Sequence, residues 1–399
     1  MKYDYDVIVA GGGVSGCAAA LSAAREGKRV LLIEKTLLLG GLGTIGLINF
    51  FVPMCNGRGK NIVKGMCLEF VELSKKYGWM FVPDEWKNGE PDEATTVRNV
   101  CRYSPNMFAL ALTEAIIDAG VTLLYDSVVS AAETENGVIR RVRVTNKSGD
   151  EWYEAKMFID ATGDADLTKL SGAPFVDGDN FFTYIAYEAT LESCEKAVKE
   201  KSIGHIYHWI NGGKATLYGK FHPEGMKKYA GTTGEEVTEY VVKNQMELLD
   251  SLRSQDPASR DVAVLPTMPQ FRTTRHIKGM YTLKTDDAYR HFDDSICLIN
   301  DFDRRDYLYE IPLRCLIAET HKNLLAVGRA ASAEGYAWDV LRVIPPAILT
   351  GQAAGVAACR AIDEGAAIQD VDISGLQKAL EEKNVYIHMI KELMPEERL

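Results

Sequence analysis

None of the 8 cysteines forms a C-x-x-C pair, so no zinc ribbon, iron–sulfur cluster or thioredoxin-like dithiol is signalled. Buried, unreactive thiols are therefore expected at Cys17, Cys55, Cys67, Cys101, Cys194, Cys297, Cys315 and Cys359. Positive charge is in deficit: 45 Lys and Arg stand against 56 Asp and Glu, a formal net charge of -11. A surface built to neutralise nucleic-acid phosphates needs the opposite excess, so no nucleic-acid partner is expected. No apolar run reaches the roughly 18 residues of a membrane span. No charged-then-apolar leader precedes the first apolar segment, and a cytoplasmic protein is expected. Internal repeats and low-complexity tracts are also lacking. The 7 histidines are scattered, with only His205 and His208 close together, and no metal is expected.

What is present suits an ordinary globular chain. Its 399 residues are 46% hydrophobic and 25% charged, enough for two domains or for one Rossmann-type domain with a sizeable insertion. The stretch "VIVAGGGVSG" carries the strongest local signal. Val7, Ile8 and Val9 predict a strand and residues 15–26 a small-residue helix, placing Gly11, Gly13 and Gly16 at the turn between them. The first glycine permits the tight turn, the second lets backbone approach a pyrophosphate, and the third lets helix and strand pack closely. A second strand over residues 29–33 ends in Glu34, at the distance where an acidic residue takes ribose hydroxyls and repels the extra phosphate of NADP. Together these imply a bound dinucleotide.

Further along, periodicity predicts helices over residues 62–77 and 104–120 and a strand over residues 121–129. Three alternating segments, around Val128, over residues 138–146 and over residues 151–164, predict an antiparallel meander returning to a parallel sheet. Its turns fall at Asn136-Gly137 and Ser148-Gly149. From residue 172 to residue 306 the βα rhythm fails, which predicts an inserted α+β substrate domain. The nucleotide-binding part then comprises residues 1–171 and 307–399, with a core strand at residues 324–327 and a closing helix that has proline in its first turn. No second glycine fingerprint follows: "NGGKATLYGK" lacks the flanking strand and helix, which disfavours a pyridine-nucleotide disulfide reductase.

Several blocks occur in a specific order over residues 5–361: "GGGVSGCAAALSAAREGKRVLLIEK", "LGGLGTIG", "FIDATGDADL" with "SGAPF", and "YEIPLRCLI" through "LLAVGRAAS" to "LRVIPPAILTGQAAGVAA". With "RTTRHIKGMYTL", they resemble bacterial FAD-dependent oxidoreductases with a single Rossmann domain, distantly similar to fumarate reductase flavoproteins. The resemblance implies an α/β, glutathione-reductase-like fold holding FAD in extended form. It implies Gly11, Gly13, Val14, Ser15 and Gly16 at the pyrophosphate and Glu34 and Lys35 at the adenosine ribose. Gly41 and Thr44 would lie along the phosphate and ribityl region, and Val128 and Val129 would meet the adenine. Ala161, Thr162, Gly163, Asp164, Gly328 and Arg329 would frame the cofactor from the other side. Val343 and Ile344 would open the helix near Pro346, whose positive end faces the flavin pyrimidine.

For the substrate side the candidates are Arg272, Arg275, His276, Tyr309, Arg314 and Arg342. Arginine offers a rigid bidentate fork to carboxylates, and histidine or tyrosine can carry the proton that accompanies hydride transfer. The resemblance favours Arg272, Arg275 and Arg342, and it expects an arginine where His276 stands. On one strand Arg272 and His276 would share a face and Arg275 would oppose them. The expected activity is hydride transfer between a small carboxylate- or hydroxyl-bearing substrate and flavin N5, with an unidentified electron donor or acceptor. The alternative is an electron-transfer subunit without its own small-molecule turnover. The acidic balance disfavours a third reading, an FAD module acting on tRNA.

Overall fold

The first strand, β1 (Tyr5–Ala10), is buried along almost its whole length and pairs in parallel with β2 (Val30–Ile33), from Val7↔Val30 to Ala10↔Ile33. On its other side it pairs with the strand Gly149–Asp160, which in turn accepts Leu324–Ala326; Thr122–Leu124 extends the far edge beside β2. The central strands are apolar throughout because both faces are covered: Val7, Val9, Leu32 and Ile159 pack with the helices Val14–Arg25 and Ile344–Glu364, while Ile8, Ala10, Leu31 and Phe158 pack against the antiparallel strand Val138–Asn146. The computed structural model from which this sheet is read describes residues 4–93 and 95–395. Residues 1–3, 94 and 396–399, part of the expected nucleotide-binding division, lie outside the described ones.

The strand Gly149–Asp160 serves two sheets. Its second half belongs to the parallel core, while its first half pairs antiparallel with Val138–Asn146, which pairs with Val128–Glu135. This is the expected meander. Asn136 and Gly137 take φ of 52° and 75°, the positive pair that a two-residue hairpin turn matched to strand twist requires. The single strand expected over residues 121–129 is instead two: Asp126 turns with φ 50°, sending Thr122–Leu124 and Val128–Glu135 to opposite ends of the strand order. The helix expected from residue 62 runs Met66–Lys76, after Gly65 at φ 56° has redirected the chain.

Helix α1 (Val14–Arg25) crosses the long helix Ile344–Glu364 through small faces. A Cβ on Gly351 would lie 2.1 Å from the Ser15 carbonyl oxygen, and one on Gly355 would lie 2.5 Å from that of Ala19. Glycine at i and i+4 therefore forms the groove into which α1 settles. Both helices start at the same end of the sheet, and that end carries the site.

Within residues 172–306 a three-stranded antiparallel sheet forms in the order Tyr207–Lys214, Thr183–Thr190, Arg260–Val264. The helix Gly234–Leu252 covers one face, packing Leu248 and Leu252 on Tyr184 and Ala186. Alternation along the middle strand turns Thr183 and Ile185 the other way, toward the nucleotide-binding sheet. The expected boundary at residues 306/307 falls inside a hairpin. Its strands Ser295–Asn300 and Leu308–Pro312 are fully buried, with Ile296, Ile299, Tyr309 and Ile311 in the same core as β1 and α1. All eight cysteines are free and seven are buried. Among the described residues no single helix is long and apolar enough to cross a membrane.

Candidate functional site

A cavity of about 430 Å³ opens where β1, α1 and the long carboxy-proximal helix meet, within the size range of sites that bury a small-molecule ligand. Its first wall is the glycine turn. Gly11 has φ 102°, and a Cβ there would strike the Ala161 carbonyl oxygen at 2.4 Å. Gly13 differs: a Cβ built on it meets no protein atom within 4 Å, because it faces open cavity. Glu34, at the end of β2, fixes the turn from below. Its Oε2 accepts the Gly12 N–H at 2.7 Å, while Oε1 accepts both the N–H and the hydroxyl of Thr36, each at 2.7 Å.

The opposite wall is the loop after the strand Gly149–Asp160. Buried Asp160 organises it: Oδ1 accepts from the Thr162 N–H and hydroxyl at 3.1 and 2.7 Å, and Oδ2 from those of Thr168, both at 2.7 Å. Ala161, Thr162, Gly163 and Asp166 are thereby presented to the cavity. Arg329 lies across Gly163, donates to the Phe271 carbonyl oxygen, and pairs with Asp164 at 3.0 Å.

Burial pushes the Asp166 carboxyl up to about 6, reinforced by Asp164 and Asp160 and opposed by Arg275 and Lys35. A carboxyl raised in the folded state binds its proton more tightly there. Its contribution to stability is therefore fully present below the ordinary value of 3.8 and is lost as pH rises through about 6. Asp166→Asn cannot titrate. The wild-type advantage over it in unfolding free energy is expected to shrink between about pH 4 and about pH 6 and then stay level; denaturant titrations across that range giving a constant difference would refute the assignment.

The far end of the cavity is a chamber with apolar walls: Ile45, Ile48, Phe50, Val52, Ile185, Trp209, Leu217, Met268, Phe271 and Phe302 line it. Gln270 ties it together, donating to the carbonyl oxygens of Gly46 and Ile185 at 2.7 and 2.9 Å and accepting the Ile185 N–H at 2.7 Å. Two arginines end it. Arg342 is held by Asp339 at 2.6 and 2.8 Å; burial lowers its pKa, with Arg272 and Arg329 adding to the effect. Arg272 donates to the Thr216 and Ala215 carbonyl oxygens at 3.0 and 3.4 Å. Among the described residues no carboxylate stands within ion-pair distance of it, and burial lowers its pKa too. A guanidinium stays protonated regardless, so the three clustered arginines have two carboxylates between them and the chamber end is cationic.

Of the cofactor residues expected from sequence, Gly11, Gly13, Val14, Ser15, Glu34, Lys35, Gly41, Val128, Val129, Ala161, Thr162, Gly163, Gly328, Arg329, Val343 and Ile344 line this cavity. Gly16, Thr44 and Asp164 stand behind it. Gly16 packs on the Gly11 carbonyl, Thr44 donates to the Leu39 carbonyl oxygen at 2.6 Å, and Asp164 holds Arg329. Of the catalytic candidates, only Arg272 and Arg342 reach it.

Arg275, His276 and Tyr309 are placed elsewhere. The strand expected through "RTTRHIK" is only Arg275–Ile277, paired with Phe175–Asp177. Asn180 Oδ1 accepts the Arg272 and Thr273 N–H groups at 2.6 and 2.9 Å and draws the chain off that ladder, so the expected alternation does not reach Arg272. Arg275 is buried and aims at Asp166, 2.5 Å away. His276 lies edge-on to Trp338, with burial holding its pKa below the ordinary value. Tyr309 is in the core, donating to the Thr285 carbonyl oxygen at 3.3 Å. Arg314 pairs with Asp294 at the surface. His205 and His208 each face a separate carboxylate, Glu200 and Glu188. The sequence reading missed Thr36, Asp166 and Gln270, whose signal was adjacency to Glu34, Asp164 and Arg272. It also missed the apolar walls, which come from segments with no motif.

A family model described as FAD dependent oxidoreductase matches residues 6–184 and 210–380. The chain is 25% identical over 248 residues to a digeranylgeranylglycerophospholipid reductase of Methanosarcina mazei, covering 56% of this chain and 58% of that protein. Identity to the protein of that name from Methanoculleus marisnigri is 26% over 182 residues, 43% of this chain and 42% of the relative. The matches thus span less than two thirds of these relatives' lengths. Among solved structures, the p-nitrophenol 4-monooxygenase of Pseudomonas putida aligns over 96% of this chain and 86% of its own, with a TM-score of 0.51 and 14% identity. That likeness is one of fold.

Proposed function

Because the chain belongs to the FAD dependent oxidoreductase family, we propose that it oxidises or reduces a small organic anion with an apolar body, held in the chamber that ends at Arg272 and Arg342. One observation carries this reading: the chamber is walled by aliphatic and aromatic side chains, and its charged end is cationic, with one guanidinium, that of Arg272, having no carboxylate partner among the described residues. When bound, FAD supplies two-electron chemistry there, a hydride taken or given at N5.

The walls fit that cofactor. Gly13 leaves open space where a side chain would stand, beside the first-turn N–H groups of α1, which have no intrahelical acceptors and favour a pyrophosphate. Glu34, Val128 and Val129 line the cavity, where Glu34 would take the ribose and the two valines would flank the adenine, and Val343 and Ile344 begin a helix whose positive end favours negative charge. Arg272 and Arg342 would fix and orient the substrate's anionic group by paired donors. The apolar walls exclude water and so strengthen that pairing. No histidine or tyrosine stands among the described lining residues, so the reading assigns no side-chain proton carrier. The substrate named for the two archaeal relatives, an isoprenoid phospholipid, likewise joins an apolar body to an anionic head, which supports this substrate class.

The test is anaerobic flavin reduction, read at the flavin absorbance band, with apolar and aromatic carboxylates against their neutral amides or esters; reduced enzyme with unsaturated acids covers the reverse direction. Acids are expected to react about tenfold faster or more, the worth of one charge-assisted hydrogen bond. Equal rates for acids and neutral analogues would overturn the anion reading. Flavin reduced only by a partner protein would move the function to an electron-transfer subunit.

A further inference from the structure

Away from the cavity, three side chains from distant parts of the sequence converge. His291 precedes the strand Ser295–Asn300, Glu310 lies on the strand Leu308–Pro312, and His388 follows the helix Ile373–Glu381. Their ligand atoms all lie within 4.8 Å of one another. His388 Nδ1 is 3.0 Å and His291 Nδ1 3.2 Å from the same oxygen, Glu310 Oε2. We propose that these residues form a binding site for a divalent metal ion of the zinc class, with a fourth position left to water.

Donor chemistry and spacing both support the assignment. Two imidazole nitrogens and one carboxylate oxygen are a set that zinc-type ions take. A tetrahedral shell with bonds of about 2.0–2.1 Å separates its donors by about 3.3 Å, close to the two separations above. The carboxylate is already aimed: Glu310 is 1% exposed, the Met389 N–H donates to Oε1 at 2.9 Å, and the Phe292 N–H donates to Oε2 at 2.8 Å. With both imidazoles donating as well, Oε2 would face three donors with two lone pairs. An ion replacing the two imidazole protons removes that excess. His291 Nε2 lies 3.3 Å from Asp293 Oδ1, the carboxylate partner that typically orients a metal-bound imidazole. His291 is itself exposed, which leaves a route for the ion to enter.

The ion would tie the carboxy-terminal segment to the hairpin, where the Leu298 N–H donates to the Tyr386 carbonyl oxygen and the Ser295 hydroxyl to that of Ile387, both at 2.6 Å. Sequence spacing could not reveal the site, because 78 residues separate Glu310 from His388.

Tag-free, FAD-loaded protein stripped with a chelator and titrated calorimetrically with zinc chloride tests this. One equivalent is expected to bind and to raise the melting temperature, with the flavin spectrum unchanged. His291→Ala, a surface change that leaves the core intact, and His388→Gln should each weaken binding about 100-fold or more and abolish the thermal shift. No saturable binding to wild-type protein overturns the site. So does binding that persists undiminished in the double variant, as coordination at Cys194, His205 or His208 would give.

Discussion

Arg272→Lys is expected to keep its flavin and lose roughly 2 to 4 kcal/mol of transition-state stabilisation, about 30-fold to 1000-fold in kcat/KM, the cost of removing one well-placed charged donor. Lysine keeps the charge but loses the fork, and it also loses the two carbonyl contacts, to Thr216 and Ala215, that aim the guanidinium. The measurement uses whichever acid reduces the flavin, with the flavin spectrum as the control for an intact cofactor site. Arg275→Lys provides the contrast. That side chain faces Asp166 and not the chamber, so its loss should lower stability while leaving turnover per bound flavin near wild type. If Arg272→Lys turns over normally, or if Arg275→Lys is the variant that loses catalysis, the anion site has been put on the wrong residues.

Gly13→Val should yield a folded protein without FAD. Its φ of -64° and ψ of 176° suit any residue, and a Cβ there meets no protein atom within 4 Å and points into open cavity, so the thermal melt of the apoprotein should barely move. The added carbons would instead occupy the approach to the first-turn N–H groups of α1. Losing two charge-assisted hydrogen bonds to a pyrophosphate at about 1.5–3 kcal/mol each weakens binding by about a hundredfold to ten-thousandfold. Gly16→Val gives the opposite phenotype: its Cβ would stand 1.8 Å from the Gly11 carbonyl oxygen, a backbone collision that no rotamer relieves, so the fold itself should fail. Released flavin per protein and a circular-dichroism melt separate the two. A Gly13→Val protein with full flavin content would refute the placement of the pyrophosphate.

The local elements were legible because their causes are local. The apolar run of β1, the glycines of the turn, Glu34 at the end of β2 and the prolines opening Ile344–Glu364 each determine their geometry within a few residues. Hence sixteen of the nineteen expected cofactor residues line the cavity. The remaining three support the cavity walls from behind, Gly16 at the turn, Thr44 at the Leu39 carbonyl and Asp164 at Arg329, since a motif records close packing as well as contact.

The substrate side was decided by tertiary structure. Alternation could be read along "RTTRHIK" only if it were one strand, and a side chain from another segment, Asn180, takes the backbone donors that such a strand would need. Tyr309 and His276 carry the right chemistry, but the packing of the hairpin and of Trp338 buries them away from the cavity. The walls of the chamber and the His291, Glu310, His388 cluster are assembled from segments that meet only after folding. Periodicity and spacing report which way a side chain faces within its own element; what it faces is fixed by contacts between elements far apart in the chain, and those leave no mark on neighbouring residues.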